Sequence, residues 1–457
     1  MNRFMGLHEE CGIFGIYNAE GNCARSAYYG LYALQHRGQE DCGIVAMNDV
    51  KLSCHKGAGL VGDVFGEKIL NELGGTMAIG HVQYGGRNGS LGGSIQPLTL
   101  TYIKGSLAIA HNGNLINSDA LKREFEFKGA VFHTNTDSEI IAYIIAQARP
   151  HCNSVEEAVN QAMKRIKGAC SLVVMSSRKL IAARDPWGFR PLCIGRKGDS
   201  IVFASESCAL DSVEAEFIRD VDPGEIVWVD DGVLHSNREN CVSKSSLCIF
   251  ELLYFARPDS VIDGQSVYEA RINAGRCLAD EYPINSDVVI GVPDSGLVAA
   301  KGYSIATGIP NDDGFIKNRY IGRTFITPLQ TGREEAVKIK LNPLRATVNG
   351  KRVIMIDDSI VRGTTVVPII SLLRDAGAKE VHVLSSSPKF IAPCYFGTDI
   401  PTRHELFAFN HSTEDMRKII GADSLGFLSL ESLSKIAPDS KCGFCDGCFS
   451  ENYPVTK

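Results

Sequence analysis

Val353-Ile354-Met355-Ile356-Asp357-Asp358-Ser359-Ile360-Val361-Arg362-Gly363-Thr364-Thr365 reads as one unit. A buried strand delivers two adjacent carboxylates to its C-terminal end, and a glycine-threonine loop then opens a helix. Loop amides and hydroxyls at a helix N-terminus make an anion site, because those amides are unpaired and the helix dipole is positive there. Asp357 and Asp358 can accept hydrogen bonds from two vicinal ribose hydroxyls or hold Mg2+. An isolated Asp-Asp pair would read as a polar turn with helix-capping aspartates; the strand before it and the Gly-Thr-Thr loop after it favour a phosphate and ribose site.

Outward from this unit the pattern recurs. Asp287 to Ile290 leads into the loop Gly291 to Gly296, the helix after Thr365 runs toward Gly377, and Val381 to Ser385 is a return strand. Apolar strands that each end in a polar loop and a helix are the signature of parallel α/β units. Upstream of about residue 245 the text differs: short strands such as Gly12 to Tyr17, Leu107 to His111, Ser171 to Met175 and Ile201 to Ala204 alternate with helical stretches at Ser26 to Gln35 and Asp137 to Ala148. Two domains are expected, 11–245 and 246–457, since 457 residues exceed a single hydrophobic core. A net charge of -6 argues against a broad nucleic-acid or anionic-membrane surface. No run approaches the ~20 apolar residues of a membrane span, and Met1 to Glu10 lacks the apolar stretch of a secretory signal, so a cytoplasmic location is expected. Fifteen cysteines then point to reduced thiols, a catalytic thiol or a metal centre before a disulfide framework.

The Val353 to Thr365 segment resembles the phosphoribosyl pyrophosphate motif of type I phosphoribosyltransferases. Tyr254 to Ser260 (YFARPDS), Val292 to Gly296 (VPDSG) and Ile316 to Ile326 (IKNRYIGRTFI) resemble the glutamine phosphoribosylpyrophosphate amidotransferase family, and the likeness extends over nearly the whole chain. The resemblance implies an α/β protein: an N-terminal-nucleophile glutaminase αββα sandwich followed by a type I phosphoribosyltransferase parallel α/β domain. It places the pyrophosphate at the loop of Asp294 and Ser295, Mg2+ at Ser295, Asp357 and Asp358, and the 5-phosphate at Arg362, Gly363, Thr364 and Thr365. Lys338, Lys340 and Asn342 would lie in a flexible loop that closes over the substrate; from its own residues that segment reads equally well as an exposed polar stretch. The chemistry asked of this half is ionisation of the bond between C1 and pyrophosphate, with cations stabilising the leaving group and water kept out.

In the first half, Cys11-Gly-Ile, Gln35 to Gln39 (QHRGQ), His111 to Leu115 (HNGNL) and Asn135 to Glu139 (NTDSE) resemble the glutaminase domain of the same family. Taken alone, a cysteine opening a strand is more often structural. The resemblance implies that residues 1–10 are a propeptide, removed so that the α-amino group of Cys11 serves as base for its own thiol. An amine near pKa ~8 suits that role. Attack on the glutamine amide frees ammonia through a thioester, with Asn112 and the amide of Gly113 as oxyanion donors and Asp137 holding the substrate α-amino group. One departure stands out. Where the family carries an arginine that grips the glutamine α-carboxylate, this chain has Gln83 in Gly80 to Arg87 (GHVQYGGR), which weakens that grip unless Arg87 reaches in.

Near the C-terminus, Cys442, Cys445 and Cys448 have spacings that suit either an iron-sulfur cluster or a zinc knuckle. The resemblance is to the family branch with one 4Fe-4S cluster, held here by Cys248, Cys394, Cys445 and Cys448, with Cys442 left over and Cys23, Cys42 and Cys170 packing in cores. It further implies a homotetramer inhibited by purine nucleotides and a product, 5-phosphoribosylamine, for purine synthesis. Three competing readings remain at this stage: an ammonia-dependent transferase with a decayed glutaminase, a non-catalytic nucleotide sensor on the same scaffold, and an iron-sulfur electron carrier.

Overall fold

The structure is a computed structural model that describes residues 11–18, 20–48, 51–84, 95–318, 341–398, 400 and 402–456. The expected leader 1–10, Arg87, Lys338 and Lys340 lie outside the described residues.

Strict alternation builds the first half. In Gly12–Tyr17, Ile13 faces one core while Phe14 and Ile16 face another, the period-two pattern of a strand buried on both faces. Seven strands form the first sheet, in the order Glu216–Asp220, Cys193–Lys197, Ser200–Ala204, Gly12–Tyr17, Met77–Gln83, Asp41–Asn48, Lys51–Ala58. A second sheet of six runs Val233–Asn237, Ile226–Asp230, Lys179–Arg184, Gly168–Met175, Gly105–Leu115, Leu98–Tyr102. Ile13, Ile79, Ala110, Val173 and Phe203 belong to the core between the two sheets. Helices cover both outer faces: Cys23–Ala33 packs on the first sheet, Asp137–Ala148 and Val155–Arg165 on the second. The result is the four-layer αββα sandwich.

In the second half a parallel sheet of four strands has the order Val288–Gly291, Arg352–Asp357, Glu380–Ser385, Ser424–Phe427. Val289, Ile354 and Ile356 point to one core and Val288, Val353 and Met355 to the other. Helices Val267–Glu281 and Gly296–Thr307 pack on the first of these faces through glycines: a Cβ at Gly275 would lie 2.0 Å from the Ala299 carbonyl oxygen, and one at Gly302 would lie 2.1 Å from that of Ile272. Helix Val366–Asp375 packs on the opposite face. The sequence boundaries of these strands hold to within about two residues. Asn342, expected in a mobile loop, instead sits in the short strand Leu341–Pro343, opposite Ile316 of Phe315–Lys317, because the ladder there satisfies its backbone.

The halves meet through buried charge. The side chains of Arg37, Glu206 and Glu251 are 0% exposed. Arg37 pairs with Glu206 and donates to Glu251 at 2.5 Å, and Arg190 reaches Glu251 at 3.3 Å. Glu206 also accepts from His36 (2.7 Å), Ser260 Oγ (2.6 Å) and the Arg257 amide (2.9 Å). Burial opposes its charge, yet Arg37 and His36 hold its carboxyl well below the usual range. A second bridge, from Arg184 to Asp263, is bidentate at 2.8 and 2.7 Å. Glu251→Gln leaves two buried guanidiniums short of a counter-charge and is expected to cost about 3 kcal/mol. A urea midpoint unchanged from wild type would show that the network contributes nothing to stability.

Candidate active sites at the two strand ends

The first site forms where the sandwich layers come together. Cys11 immediately precedes Gly12–Tyr17, in which Gly12 faces Val82 and Ile13 faces His81. His81 Nε2 crosses to the other sheet and donates to the His111 carbonyl at 3.1 Å. Gln96 brackets the same residue, accepting from its amide at 2.8 Å and donating to its carbonyl at 3.1 Å. Asn112 and Gly113 follow directly. Asn112 is buried, and neither polar atom of its side chain has a hydrogen-bond partner among the described residues. A buried carboxamide left unpaired costs free energy, so such a group marks a place for a ligand. Gly113 has φ +147°, and a Cβ there would strike the Ala169 carbonyl oxygen at 2.1 Å, so no other residue fits.

Asp137 is the first residue of its helix, and its Oδ2 accepts from the Leu115 amide at 2.7 Å. Burial pushes its carboxyl up to about 6. A cation arriving beside it would reverse that shift. The side-chain Oε1 of Gln83 is buried and lacks a hydrogen-bond partner among the described residues. Asn112, Gly113 and Asp137 thus share one strand end, with the Cys11 end of the first sheet facing it through the His81–His111 bond.

The second site lies at the C-terminal ends of two neighbouring parallel strands, where the Val292 amide donates to the Ile356 carbonyl at 2.9 Å. Ser295 caps helix Gly296–Thr307, and a Cβ on Gly296 would meet the Ile356 carbonyl oxygen at 2.4 Å, so this glycine lets the loop close onto the strand. Asp357 ends its strand and accepts from the Asp358 amide at 3.0 Å; Ser359 Oγ donates to Asp358 at 2.5 Å, and the Ser295 side chain also bonds to Asp358. Burial pushes both carboxyls up, and for Asp357 the Asp358 charge adds to the effect. Asp294 pairs with Lys317. Arg362 lies 3.5 Å from Glu405. Gly363 has φ +74° with the Phe407 ring against it, and the exposed Thr364 and Thr365 lead into helix Val366–Asp375.

Four thiols gather elsewhere. Cys248 and Cys445 face each other across the parallel pair Leu247–Cys248 and Phe444–Cys445. Burial raises the pKa of Cys248, Cys445 and Cys448, and all three are raised further by Cys394. As the chain stands, no group of three or more His, Cys, Asp or Glu is arranged to hold a metal ion among the described residues. Cys442 packs instead toward Asp263 and Arg184, and Cys23, Cys42 and Cys170 are buried in the sandwich.

Several residues escaped the sequence reading. Arg271 is buried, donates to the carbonyls of Leu252, Tyr254 and Ala256, and sits close enough to Asp358 for the two charges to interact. Burial pulls its pKa down to about 10. Arg37 was visible within QHRGQ, but its partners Glu206 and Glu251 are distant in sequence and carry no local signal. No helix among the described residues is long and apolar enough to cross a membrane.

Comparison with known proteins gives the family. Residues 89–212 match a glutamine amidotransferase domain and residues 264–387 a phosphoribosyl transferase domain. The amidophosphoribosyltransferase of Bacillus subtilis is 48% identical, over 98% of this chain and 95% of its own length. The chain belongs to the amidophosphoribosyltransferase family. The Methanocaldococcus jannaschii relative is 46% identical over 97% of this chain and 98% of its own. A solved glutamine phosphoribosylpyrophosphate amidotransferase from B. subtilis, complexed with ADP and GMP, superposes with a TM-score of 0.90 at 47% identity, covering 98% of both chains. A second structure, of the allosteric regulatory enzyme of purine biosynthesis, gives 0.92 at 47% identity over 98% of this chain and 96% of its own. The enzyme moves ammonia from glutamine onto phosphoribosyl pyrophosphate, giving 5-phosphoribosylamine, glutamate and pyrophosphate in purine biosynthesis.

The two histidines behind the first site give a pH signature. Burial drives His81 to about 3 and His111 to about 4, below the unfolded value near 6.5. Both are therefore neutral in the folded protein, and the stability this confers is complete above pH 6.5 and is lost as pH falls toward 4 and 3. For His81 the loss is about 2 kcal/mol by pH 5. His81→Gln should narrow the difference between urea midpoints at pH 7 and pH 5 by about that amount; an unchanged difference would mean that His81 is charged when folded.

Proposed function

We propose that Cys11, freed by removal of residues 1–10, cleaves the glutamine amide, and that the crevice at Asp357 and Asp358 receives phosphoribosyl pyrophosphate. The observation that carries the first half is the unpaired, buried carboxamide of Asn112 beside Gly113, the arrangement an oxyanion requires. The α-amino group of Cys11 takes the thiol proton, the thiolate attacks the amide carbon, and Asn112 with the Gly113 amide receives the developing negative charge. Asp137 holds the substrate ammonium. The second half is supported by adjacent strand ends that bring Ser295 and two raised carboxyls together next to the N-terminus of a helix. Asp294 and Ser295 take the pyrophosphate, and Arg362, Gly363, Thr364 and Thr365 take the 5-phosphate. Lys338 and Lys340 belong to the segment expected to close over the crevice.

Paired buried carboxylates with a hydroxyl suit a hard cation. Asp357, Asp358 and Ser295 are the residues that would hold Mg2+, which when bound supplies positive charge to the departing pyrophosphate. Cys248, Cys394, Cys445 and Cys448 converge from three chain segments and would hold one 4Fe-4S cluster, whose contribution is to staple the tail to the transferase core. The boundary between the domains falls at residue 245. The relative complexed with ADP and GMP supports regulation by purine nucleotides. A cytoplasmic homotetramer completes the assignment.

Cys11→Ala is expected to abolish the glutamine-supported rate and spare the ammonia-supported one; Asp358→Ala should abolish both. Equal loss of both rates in Cys11→Ala would contradict the division of labour. Gln83 offers a separate test. Arg37 is taken up by two carboxylates, so the substrate α-carboxylate meets a neutral amide at Gln83. Gln83→Arg should lower the KM for glutamine about tenfold or more, with the ammonia-supported rate unchanged; an unaltered KM would show that the α-carboxylate is held elsewhere.

A further inference from the structure

Backbone of the second domain lies against the Gly113–Asn114 strand end of the first. Asn114 Nδ2 donates to the Tyr395 carbonyl at 2.9 Å. Arg190 Nη2 donates to the next carbonyl, that of Phe396, at 2.8 Å, and to Thr398 Oγ1 at 3.3 Å. Two side chains of the sandwich therefore grip two consecutive carbonyls of the transferase domain. Gly397 follows with φ +113°; a Cβ there would lie 3.0 Å from Arg190 Nη2 and 3.5 Å from the carbonyl carbon of Gly113. Beneath this contact the Phe189 and Phe396 rings stack with centroids 4.2 Å apart. The Arg190 carbonyl accepts from Ser171 Oγ at 3.1 Å, and Ser171 is the cross-strand partner of Asn112. Two of these contacts, the approach of Gly397 to Gly113 and the link from Arg190 through Ser171, lead back to the Asn112–Gly113 peptide.

We propose that Asn114 is a positioning residue for glutamine cleavage: by clamping the Tyr395 carbonyl it fixes the neighbouring Gly113 amide where the tetrahedral oxyanion forms, so the transferase domain completes the glutaminase pocket. The inference rests on the assignment of Asn112 and Gly113 as oxyanion donors. Gly113 occupies a backbone region that favours no single conformation on its own account, and a donor stabilises an oxyanion only when it is already aimed at it. Displacement by an ångström costs about a hundredfold in rate. The loss belongs to the transition state, because ground-state glutamine is held at Asp137.

The test uses the full-length enzyme. Asn114 is exposed, so Asn114→Ala removes no core contact. Asn114→Asp keeps the shape and loses the donor. Both variants should lower kcat for glutamine hydrolysis about ten- to a hundredfold, with KM within about twofold of wild type. Two further readouts should not move: ammonia-supported transfer, and the rate at which iodoacetamide alkylates Cys11, since displacement of iodide forms no oxyanion. An unchanged kcat, or an equal fall in alkylation or in ammonia-supported transfer, overturns the proposal. Asn112→Ala is run alongside. If it loses glutamine hydrolysis while Asn114→Ala does not, the clamp alone is wrong; if it too keeps full kcat, the oxyanion assignment fails first.

Discussion

Two buried carboxylates, Glu206 and Glu251, fix how the domains stand against each other. Stripping water from a carboxylate or a guanidinium costs several kcal/mol, and only well-aimed partners recover it. Arg37 and Arg190 come from the sandwich, whereas Glu251, Ser260 and the Arg257 amide come from the transferase domain. An apolar interface of the same size tolerates sliding. Directional, charge-assisted bonds do not, so one relative placement of the halves is selected over its neighbours.

That placement sets both sites from one reference. On the sandwich side, Gly38 follows Arg37 so tightly against Gln83 that a Cβ would meet its amide nitrogen at 2.5 Å, and Gln83 ends the strand paired with Gly12–Tyr17. On the transferase side, Glu251 opens the π-helical turn Glu251–Phe255. Three carbonyls in and beside that turn are held by Arg271, whose charge Asp358 feels. A π-helical turn strains the usual ladder and recurs at functional positions. For a reaction in which a small, neutral nucleophile must pass from one site to the other without escaping into water, a common structural reference is a physical requirement: ammonia that reaches bulk solvent is protonated and diluted.

The parts of this molecule legible in sequence are those whose physics is local. Gly12 to Tyr17 and Asp137 to Ala148 were readable to the residue because periodicity and end signals lie within the segment itself. The acid pair was readable because strand, carboxylates and phosphate loop are contiguous. The clamp at Asn114 was not, since its partner is hundreds of residues away and no pattern in HNGNL announces a bond to a backbone carbonyl. Asn342 was put in a loop by resemblance alone, whereas its backbone pairs with Ile316. The four thiols were placed by resemblance. Spacing alone left zinc and iron-sulfur open, and the convergence of Cys248 on Cys445 is a property of the folded chain.

Gln83 shows how one side chain shifts the balance of recognition. Glutamine presents an ammonium and a carboxylate to the pocket. Asp137, raised by burial, gains most from meeting the ammonium, because the approaching charge removes the penalty that raised it. The carboxylate meets no comparable reward at Gln83: a carboxamide donates without net charge, and its own side-chain oxygen, buried and unpaired among the described residues, carries a negative dipole that no donor offsets. Arg37 cannot turn to help without abandoning Glu206 and Glu251, at a cost exceeding what one new ion pair returns. Recognition under the proposed roles therefore leans on the ammonium end of the substrate, while its amide end meets the oxyanion peptide, the element that the proposed clamp from the second domain holds in place.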